Sequence, residues 1–146
     1  MTEELTALRP EELTALAQAA QDLATLAHAH DKRDDGQPYL AHVAAVAAGV
    51  GPNPYAVPVA WLHDVVEDHP GYLPEIRAWF PSWVVQAVLA LSRRDRESYV
   101  YYLSRVAGNP LAKQVKMADL KHNLEGHKPG NRRDKYELAL ALLERS

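Results

Sequence analysis

Prolines and glycines divide the chain into apolar segments of helical length, and this division most constrains what the chain can fold into. Residues 10–30 repeat apolar side chains at spacings of three and four, which places them on one face of a helix. The 23 Ala and 19 Leu, both strong helix formers, outnumber Val, Ile and Thr together. No segment alternates as a half-buried strand does. The sequence therefore predicts an all-α bundle of seven or eight short helices.

The helix boundaries are predicted from the same residues. Pro10 precedes two glutamates and begins a helix well, whereas the polar stretch 31–38 is typical of a loop in which Gly36 turns the chain. Asn53 can cap a helix that has Pro54 at its first position. A length of 146 residues fits one compact domain, residues 1–146. The predicted helices are 10–30, 38–50, 53–69, 74–80, 81–91, 97–107, 110–124 and 132–144.

The composition excludes several classes of function. With no Cys, the chain has no disulfide framework, thiolate metal site or cysteine nucleophile, so any metal must be held by His, Asp or Glu. A net charge of −3 argues against a dedicated nucleic-acid binder. No stretch approaches about 18 uncharged apolar residues, and the acidic N-terminus is unlike a signal peptide. We expect a cytoplasmic protein with no nucleic-acid or membrane partner, and a homo-oligomer is compatible with the sequence.

The segment WLHDVVED, residues 61–68, places four ionisable side chains in an apolar helix. His63 and Glu67 are four residues apart, as are Asp64 and Asp68, so a continuous helix would carry them as one polar stripe. Clustered carboxylates repel one another and are costly to bury without a cation. A divalent metal supplies that cation, and imidazole with carboxylate suits Mn, Fe, Zn or Ni.

Further ligands must come from other helices. His42 is the polar residue of an apolar helix, and Asp119 follows an apolar turn with Asn123 one turn later. Each of these alone is more often a structural residue than a metal ligand. Together with His63 and Asp64, they would form a two-His, two-Asp site spread over three helices.

Three segments carry a resemblance to a known family: AHAHDKRDDGQPYLAH (27–42), WLHDVVED (61–68) and VKMADLKHN (115–123). Their order and spacing resemble the HD superfamily of metal-dependent phosphohydrolases. They are most similar to the hydrolase domain of RelA/SpoT-type enzymes and to the stand-alone small alarmone hydrolases. The resemblance extends over roughly residues 15–140, which is most of the chain.

The resemblance implies a reaction and a role for each site residue. The reaction is removal of the 3′-diphosphate from ppGpp or pppGpp, which gives GDP or GTP and pyrophosphate; the synthetase domain of the family does not fit in 146 residues. The metal, usually Mn²⁺ in this family, would be held by His42, His63, Asp64 and Asp119. Glu67 and Asp68 would be the catalytic acids. The implied nucleotide contacts are Arg33, Asn123, Arg132 and Tyr136, and Lys32 is predicted as a fifth contact beside Arg33. The cations expected to favour an anionic substrate are Lys32, Arg33, Lys116, Lys121, Lys128, Arg132 and Arg133.

The chain departs from the family pattern at a few positions. His30 and Asp31 stand where Gly-Gln is usual, and His69 stands where Thr often follows the acidic pair. His28 is predicted to end the first helix, and neither His69 nor His122 has motif support as a ligand. Val43 and Leu120 are two further departures, and none of these removes a predicted ligand or acid.

Two other functions remain open at this point. The chain is compatible with another HD-type nucleotide phosphohydrolase, such as a nucleotidase or phosphodiesterase, and with a non-catalytic nucleotide sensor. The Glu67–Asp68 pair and the Arg33 loop favour the alarmone hydrolase over the first. The intact ligands and acids count against the second.

Overall fold

A computed structural model describes residues 8–126 and 129–146 of the chain. The predicted cation Lys128 and most of the N-terminal segment considered above lie outside the described residues. Within those ranges the elements are helices and one isolated backbone bridge, between Lys32 and Pro38. The all-α prediction is confirmed. None of the helices in the described part of the chain is long and apolar enough to cross a membrane.

The helices follow the proline and glycine boundaries closely. A short 3₁₀ turn, Pro70–Tyr72, lies between α4 and α5. The α-helices are α1 (Pro10–Ala27), α2 (Tyr39–Gly49), α3 (Ala56–Leu62), α4 (Val65–Asp68), α5 (Leu73–Trp79), α6 (Ser82–Ala90), α7 (Tyr99–Ala107), α8 (Pro110–Gly126) and α9 (Asn131–Arg145).

Helix α3 lies at the centre of the bundle. It packs against α1, α2, α6 and α8, and its Val59, Ala60 and Leu62 are fully buried. The apolar faces of the surrounding helices close over it because each is hydrophobic on one side only. The residue that follows α3, His63, is therefore held in the interior rather than at the surface.

The predicted single helix over 53–69 is wrong at two places. Asn53 Oδ1 accepts the Tyr55 backbone N–H at 3.1 Å in a local turn, so the helix begins at Ala56 instead of Pro54. A second interruption falls at His63–Asp64, where Asp64 has φ −108° and ψ −1° and separates α3 from α4. Adjacent residues of a regular helix point about 100° apart. The interruption instead lets His63 and Asp64 face the same space.

The loop after α1 carries Lys32 and Arg33, two of the residues expected to contact a nucleotide. Helix α1 ends at Ala27, earlier than residue 30, and His28 occupies its C-cap as expected. The loop is closed by a hydrogen bond from Arg33 N to Gln37 O at 2.8 Å, and Gly36 supplies the predicted turn with φ +85°. This closure holds the loop between the start of α2 and the side of α8.

Candidate metal centre and substrate cleft

The four predicted metal ligands meet in one place. His42 comes from α2, His63 and Asp64 from the α3–α4 junction, and Asp119 from α8; their ligand atoms all lie within 4.8 Å of one another. His42 Nε2 is 2.7 Å from Asp119 Oδ1, and His63 Nε2 is 2.9 Å from Asp64 Oδ2. Three of the four side chains are buried and Asp64 is partly so. We call this group the deep cluster.

The hydrogen bonding of His63 indicates what the deep cluster is built to hold. His63 Nδ1 lies 2.7 Å from the carbonyl oxygen of Ala60, which can only accept, so Nδ1 carries the hydrogen. A neutral His63 then points the lone pair of Nε2 at the carboxylates of Asp64 and Asp119, and this buried nitrogen has no hydrogen-bond partner within residues 8–126 and 129–146. A lone pair facing carboxylates is stable only with a proton or a metal cation between them.

His122 orients the second imidazole of the deep cluster. Its Nδ1 lies 2.7 Å from His42 Nδ1, so one ring must donate and the other accept. Burial and the neighbouring His42 lower the pKa of His122, which favours a neutral acceptor. His42 Nδ1 can then donate, leaving Nε2 free to bind a metal. His122 lies three residues after Asp119 on α8, and that spacing on one helix face is the signal that points to it.

The charges of the deep cluster favour a positive charge between His63 and the two aspartates. Although burial opposes ionisation, His63 lowers the pKa of Asp64 to about 2. Burial likewise opposes charge on His63, yet Asp64 and Asp119 raise the pKa of His63 well above its usual value. Lys116 Nζ binds Asp119 Oδ2 at 2.8 Å and leaves Oδ1 to face the histidines. A divalent transition metal would replace the proton on His63 Nε2 as that positive charge, and the donor set fits such a metal.

Glu67 and Asp68 lie on α4, one turn beyond the ligands and outside the deep cluster. Both side chains reach the surface, and Glu67 Oε1 accepts the Arg93 backbone N–H at 2.6 Å. Partial desolvation raises the pKa of Glu67. Desolvation together with the charges of Asp64 and Glu67 raises the pKa of Asp68 to about 6. These two acids are therefore suited to exchange protons near neutral pH.

All five predicted nucleotide contacts line a single cleft of about 340 Å³. Tyr39 lines it too, and its hydroxyl donates a hydrogen bond to Asp64 Oδ2. Asn123 Nδ2 donates to Asp119 Oδ1 at 3.3 Å. The cleft thus adjoins the deep cluster through two direct hydrogen bonds. Its lining comprises Lys32, Arg33, Asp34, Asp35, Tyr39, Asn123, Gly126, Arg132 and Tyr136.

The cations of the cleft differ in how firmly they are held. Arg33 Nη2 donates to Asn123 Oδ1 at 3.0 Å, while its buried Nη1 has no partner within the described ranges. Arg132 pairs with Asp34 at 2.8 Å on the exposed rim, where an ion pair adds little stability. Two other predicted cations are engaged elsewhere: Lys116 holds Asp119, and Arg133 pairs with Glu137 at 3.1 Å.

Comparison with known proteins supports the resemblance noted in the sequence. No protein-family model matches the chain. An alignment 111 residues long, which covers 66% of this chain, is 30% identical to a probable guanosine-3′,5′-bis(diphosphate) 3′-pyrophosphohydrolase of Synechocystis. A second alignment, 127 residues long and covering 79% of this chain, is 29% identical to a probable GTP pyrophosphokinase of Mycobacterium leprae. The resemblance to RelA/SpoT proteins is confirmed.

The fold is also similar to that of a solved protein. A solved metazoan ortholog of SpoT, which hydrolyzes ppGpp and plays a role in starvation responses, superposes with a TM-score of 0.71 at 22% identity. The alignment covers 94% of this chain and 86% of the ortholog. By contrast, the matched region spans only 15% and 16% of the two bacterial relatives. The chain therefore shares the ortholog's fold and corresponds to a small part of the larger RelA/SpoT proteins.

Proposed function

We propose that the chain is a Mn²⁺-dependent phosphohydrolase that removes the 3′-diphosphate of ppGpp-type nucleotides. The observation that carries this proposal is the direct contact between the cleft and the deep cluster. Tyr39 and Asn123 line the cleft, and each hydrogen bonds to an aspartate of the deep cluster. A nucleotide in the cleft would therefore place a phosphate against the four ligands. The names of the Synechocystis relative and the metazoan ortholog favour a ppGpp-type substrate.

The cleft is suited to an anionic nucleotide. Arg33 has a buried guanidinium nitrogen without a partner in the described part of the chain, and Lys32 and Arg132 add positive charge at the rim. A guanidinium can stack on a purine and can also pair with phosphate. Arg132 and Tyr136 lie one turn apart on α9 and face the same cleft, where they would contact phosphate and sugar.

The protein's own residues would divide the chemistry between them. A divalent metal held by His42, His63, Asp64 and Asp119 supplies a Lewis acid for a phosphoryl oxygen and makes nearby water more acidic. Water adds to the phosphorus attached to the ribose 3′ oxygen, and that P–O bond breaks to release pyrophosphate. Of Glu67 and Asp68, one would take the proton from water and the other would deliver a proton to the departing 3′ oxygen.

The test is to incubate the Mn²⁺-loaded protein with ppGpp, pppGpp, pppApp and simple nucleoside monophosphates and to separate the products by ion exchange. We expect pyrophosphate with GDP from ppGpp and with GTP from pppGpp. The pppApp sample tests whether the cleft selects the base. An Asp64→Asn variant, which removes one ligand, serves as the matched inactive control.

Two results would overturn the proposal. Phosphate from a monophosphate with no pyrophosphate from any alarmone would indicate a different nucleotide phosphohydrolase. Saturable binding of ppGpp without turnover, in protein that measurably retains metal, would indicate a nucleotide sensor. Replacing Mn²⁺ by Mg²⁺, Zn²⁺ or Co²⁺ in parallel reactions tests the metal assignment separately from the substrate.

A further inference from the structure

A second group of metal-binding side chains lies outside the site described so far. His28 and Asp31 come from the end of α1 and the loop after it, and His69 follows α4; their ligand atoms also lie within 4.8 Å of one another. We call this group the groove cluster. It shares none of its residues with the deep cluster, and the proposed hydrolysis assigns no role to any of them.

The groove cluster has the donor set of a transition-metal site. Two imidazoles and one carboxylate suit Zn²⁺, Fe²⁺, Co²⁺ and Mn²⁺. Asp31 Oδ2 lies 2.8 Å from His28 Nδ1 and 2.6 Å from His69 Nε2. The corresponding nitrogen–oxygen separations in the deep cluster are 2.7 and 2.9 Å, so both clusters have their donor atoms equally close together. Folding assembles the groove cluster, because Asp31 and His69 are 38 residues apart.

The surroundings of the groove cluster allow an ion to enter and to be held. His28 is fully shielded and forms the floor, whereas the side chains of Asp31 and His69 are 29% and 32% exposed. They open into a groove that is also lined by His30, Lys32, Tyr39, Glu67 and Asp68. The groove therefore holds three carboxylates, those of Asp31, Glu67 and Asp68, against the one ammonium group of Lys32, and it attracts cations. An ion bound there would keep open positions for water or a ligand.

We propose that His28, Asp31 and His69 form a second divalent metal site on the wall of the groove that contains Glu67 and Asp68. This inference does not depend on the proposed hydrolase activity. Asp31 and His69 are also two of the positions at which the chain departs from the family pattern. The competing explanation is that the groove cluster is only a hydrogen-bonded triad in which both imidazoles donate to Asp31, which would leave it without affinity for metal.

The experiment counts bound metal on the tag-free full chain. The protein is stripped with a chelator, dialysed against Zn²⁺ or Co²⁺, and analysed by elemental mass spectrometry. We expect two ions per chain for the wild type and one for a double Asp31→Asn, His69→Gln variant. Asp64→Asn should also bind one ion, and combining all three substitutions should leave none. His30→Gln, which changes a histidine that lines the same groove but lies outside the groove cluster, is the matched control and should keep two.

Two further measurements keep the result interpretable. Circular dichroism and melting temperature establish that each variant is folded. In the wild type, the imidazole ¹⁵N resonances of His28 and His69 should shift as the second equivalent of Zn²⁺ is added, with no substitution involved. One ion per chain in the wild type, or two ions retained by the double variant, would show that the groove cluster is the hydrogen-bonded triad.

Discussion

The deep cluster and the groove cluster use the same kinds of side chain in different hydrogen-bonding states. In the deep cluster, the bond from His63 Nδ1 to Ala60 O leaves the Nε2 lone pair facing carboxylates. In the groove cluster, Asp31 Oδ2 can accept hydrogens from His28 and His69 at once, and these two bonds lower the pKa of Asp31. The deep cluster therefore needs a proton or a metal on His63 Nε2, whereas the groove cluster is satisfied by the hydrogens that its neutral imidazoles already carry.

This difference teaches that residue type alone does not determine metal dependence. Metal dependence is set by the far nitrogen of each imidazole, the one that points away from the carboxylates, and by whether it already has a hydrogen-bond partner. The far nitrogen of His63 is hydrogen bonded to Ala60 O, and that of His42 is hydrogen bonded to His122. The far nitrogen of His28 is buried and has no partner among the residues described, so its hydrogen can lie on either side. We expect the deep cluster to bind its metal more tightly and to exchange it more slowly.

The largest expected effect comes from removing a ligand of the deep cluster. Asp64→Asn or Asp119→Asn should lose the deep metal and reduce turnover by roughly 10³-fold or more, because Lewis-acid stabilisation is worth several kcal/mol. Asp31→Asn should keep the deep metal. Initial rates and metal content measured on the same samples test this contrast. Equal loss of the deep metal from Asp31→Asn would mean that the two clusters are not independent.

The next effect separates ligands from catalytic acids. Glu67→Gln and Asp68→Asn should retain the deep metal while turnover falls by roughly 10²- to 10⁴-fold, the usual range for losing a proton-transfer group. The measurement is turnover at saturating substrate with metal content determined in parallel. Loss of metal from these variants equal to that from Asp64→Asn would contradict the division of roles.

Much of the deep cluster could be predicted because its signals are local. His63 and Asp64 are charged residues in an apolar helix, and His42 and Asp119 each interrupt another apolar helix. Burying such side chains is costly, so their presence in core-forming segments indicates a shared purpose. The helix boundaries were predictable for the same reason, since Pro and Gly act on the chain within a few residues of themselves.

What could not be predicted depends on contacts between distant residues. The interruption at His63–Asp64 has no proline or glycine to mark it in the sequence. It depends on the packed surroundings of α3, which outweigh local helix propensity. In the sequence, Asp31 and His69 are two separate departures from the family pattern. Only folding places Asp31 Oδ2 2.6 Å from His69 Nε2. The sequence offers Lys116 as a cation for the substrate, and only the structure shows that its Nζ binds Asp119 Oδ2 at 2.8 Å.

A smaller effect should follow from loosening the imidazole that supports the deep cluster. His122→Ala removes the acceptor for His42 Nδ1, and loss of such a supporting bond typically weakens metal binding by about 10- to 100-fold. His122→Gln, which keeps an acceptor oxygen, should restore part of the affinity. Competition with a chromogenic chelator measures the change. Metal affinity unchanged in His122→Ala would show that His42 needs no orienting partner.

The smallest effect concerns Glu97, a carboxylate whose hydrogen-bond donors belong to an arginine and cannot bind a metal. Glu97 accepts two bonds from Arg105, at 2.7 and 2.8 Å, and these bonds lower the pKa of Glu97 to about 2. Arginine does not release its protons, so Glu97 is a metal-independent counterpart of Asp31. Glu97→Gln should lower the melting temperature at neutral pH, and the loss should be the same with and without Zn²⁺.

The pH dependence of that loss follows from the sign of the shift. Because the folded pKa of Glu97 is lower than the ordinary value of 4.5, the stabilisation is fully present above pH 4.5 and is lost as the pH falls toward about 2. The melting temperatures of wild type and Glu97→Gln should therefore converge in acid. Thermal melts at several pH values test this. A difference in melting temperature that stays constant down to pH 2 would mean that Glu97 stabilises the fold through packing rather than charge. Glu97 would then not serve as a metal-independent comparison for Asp31.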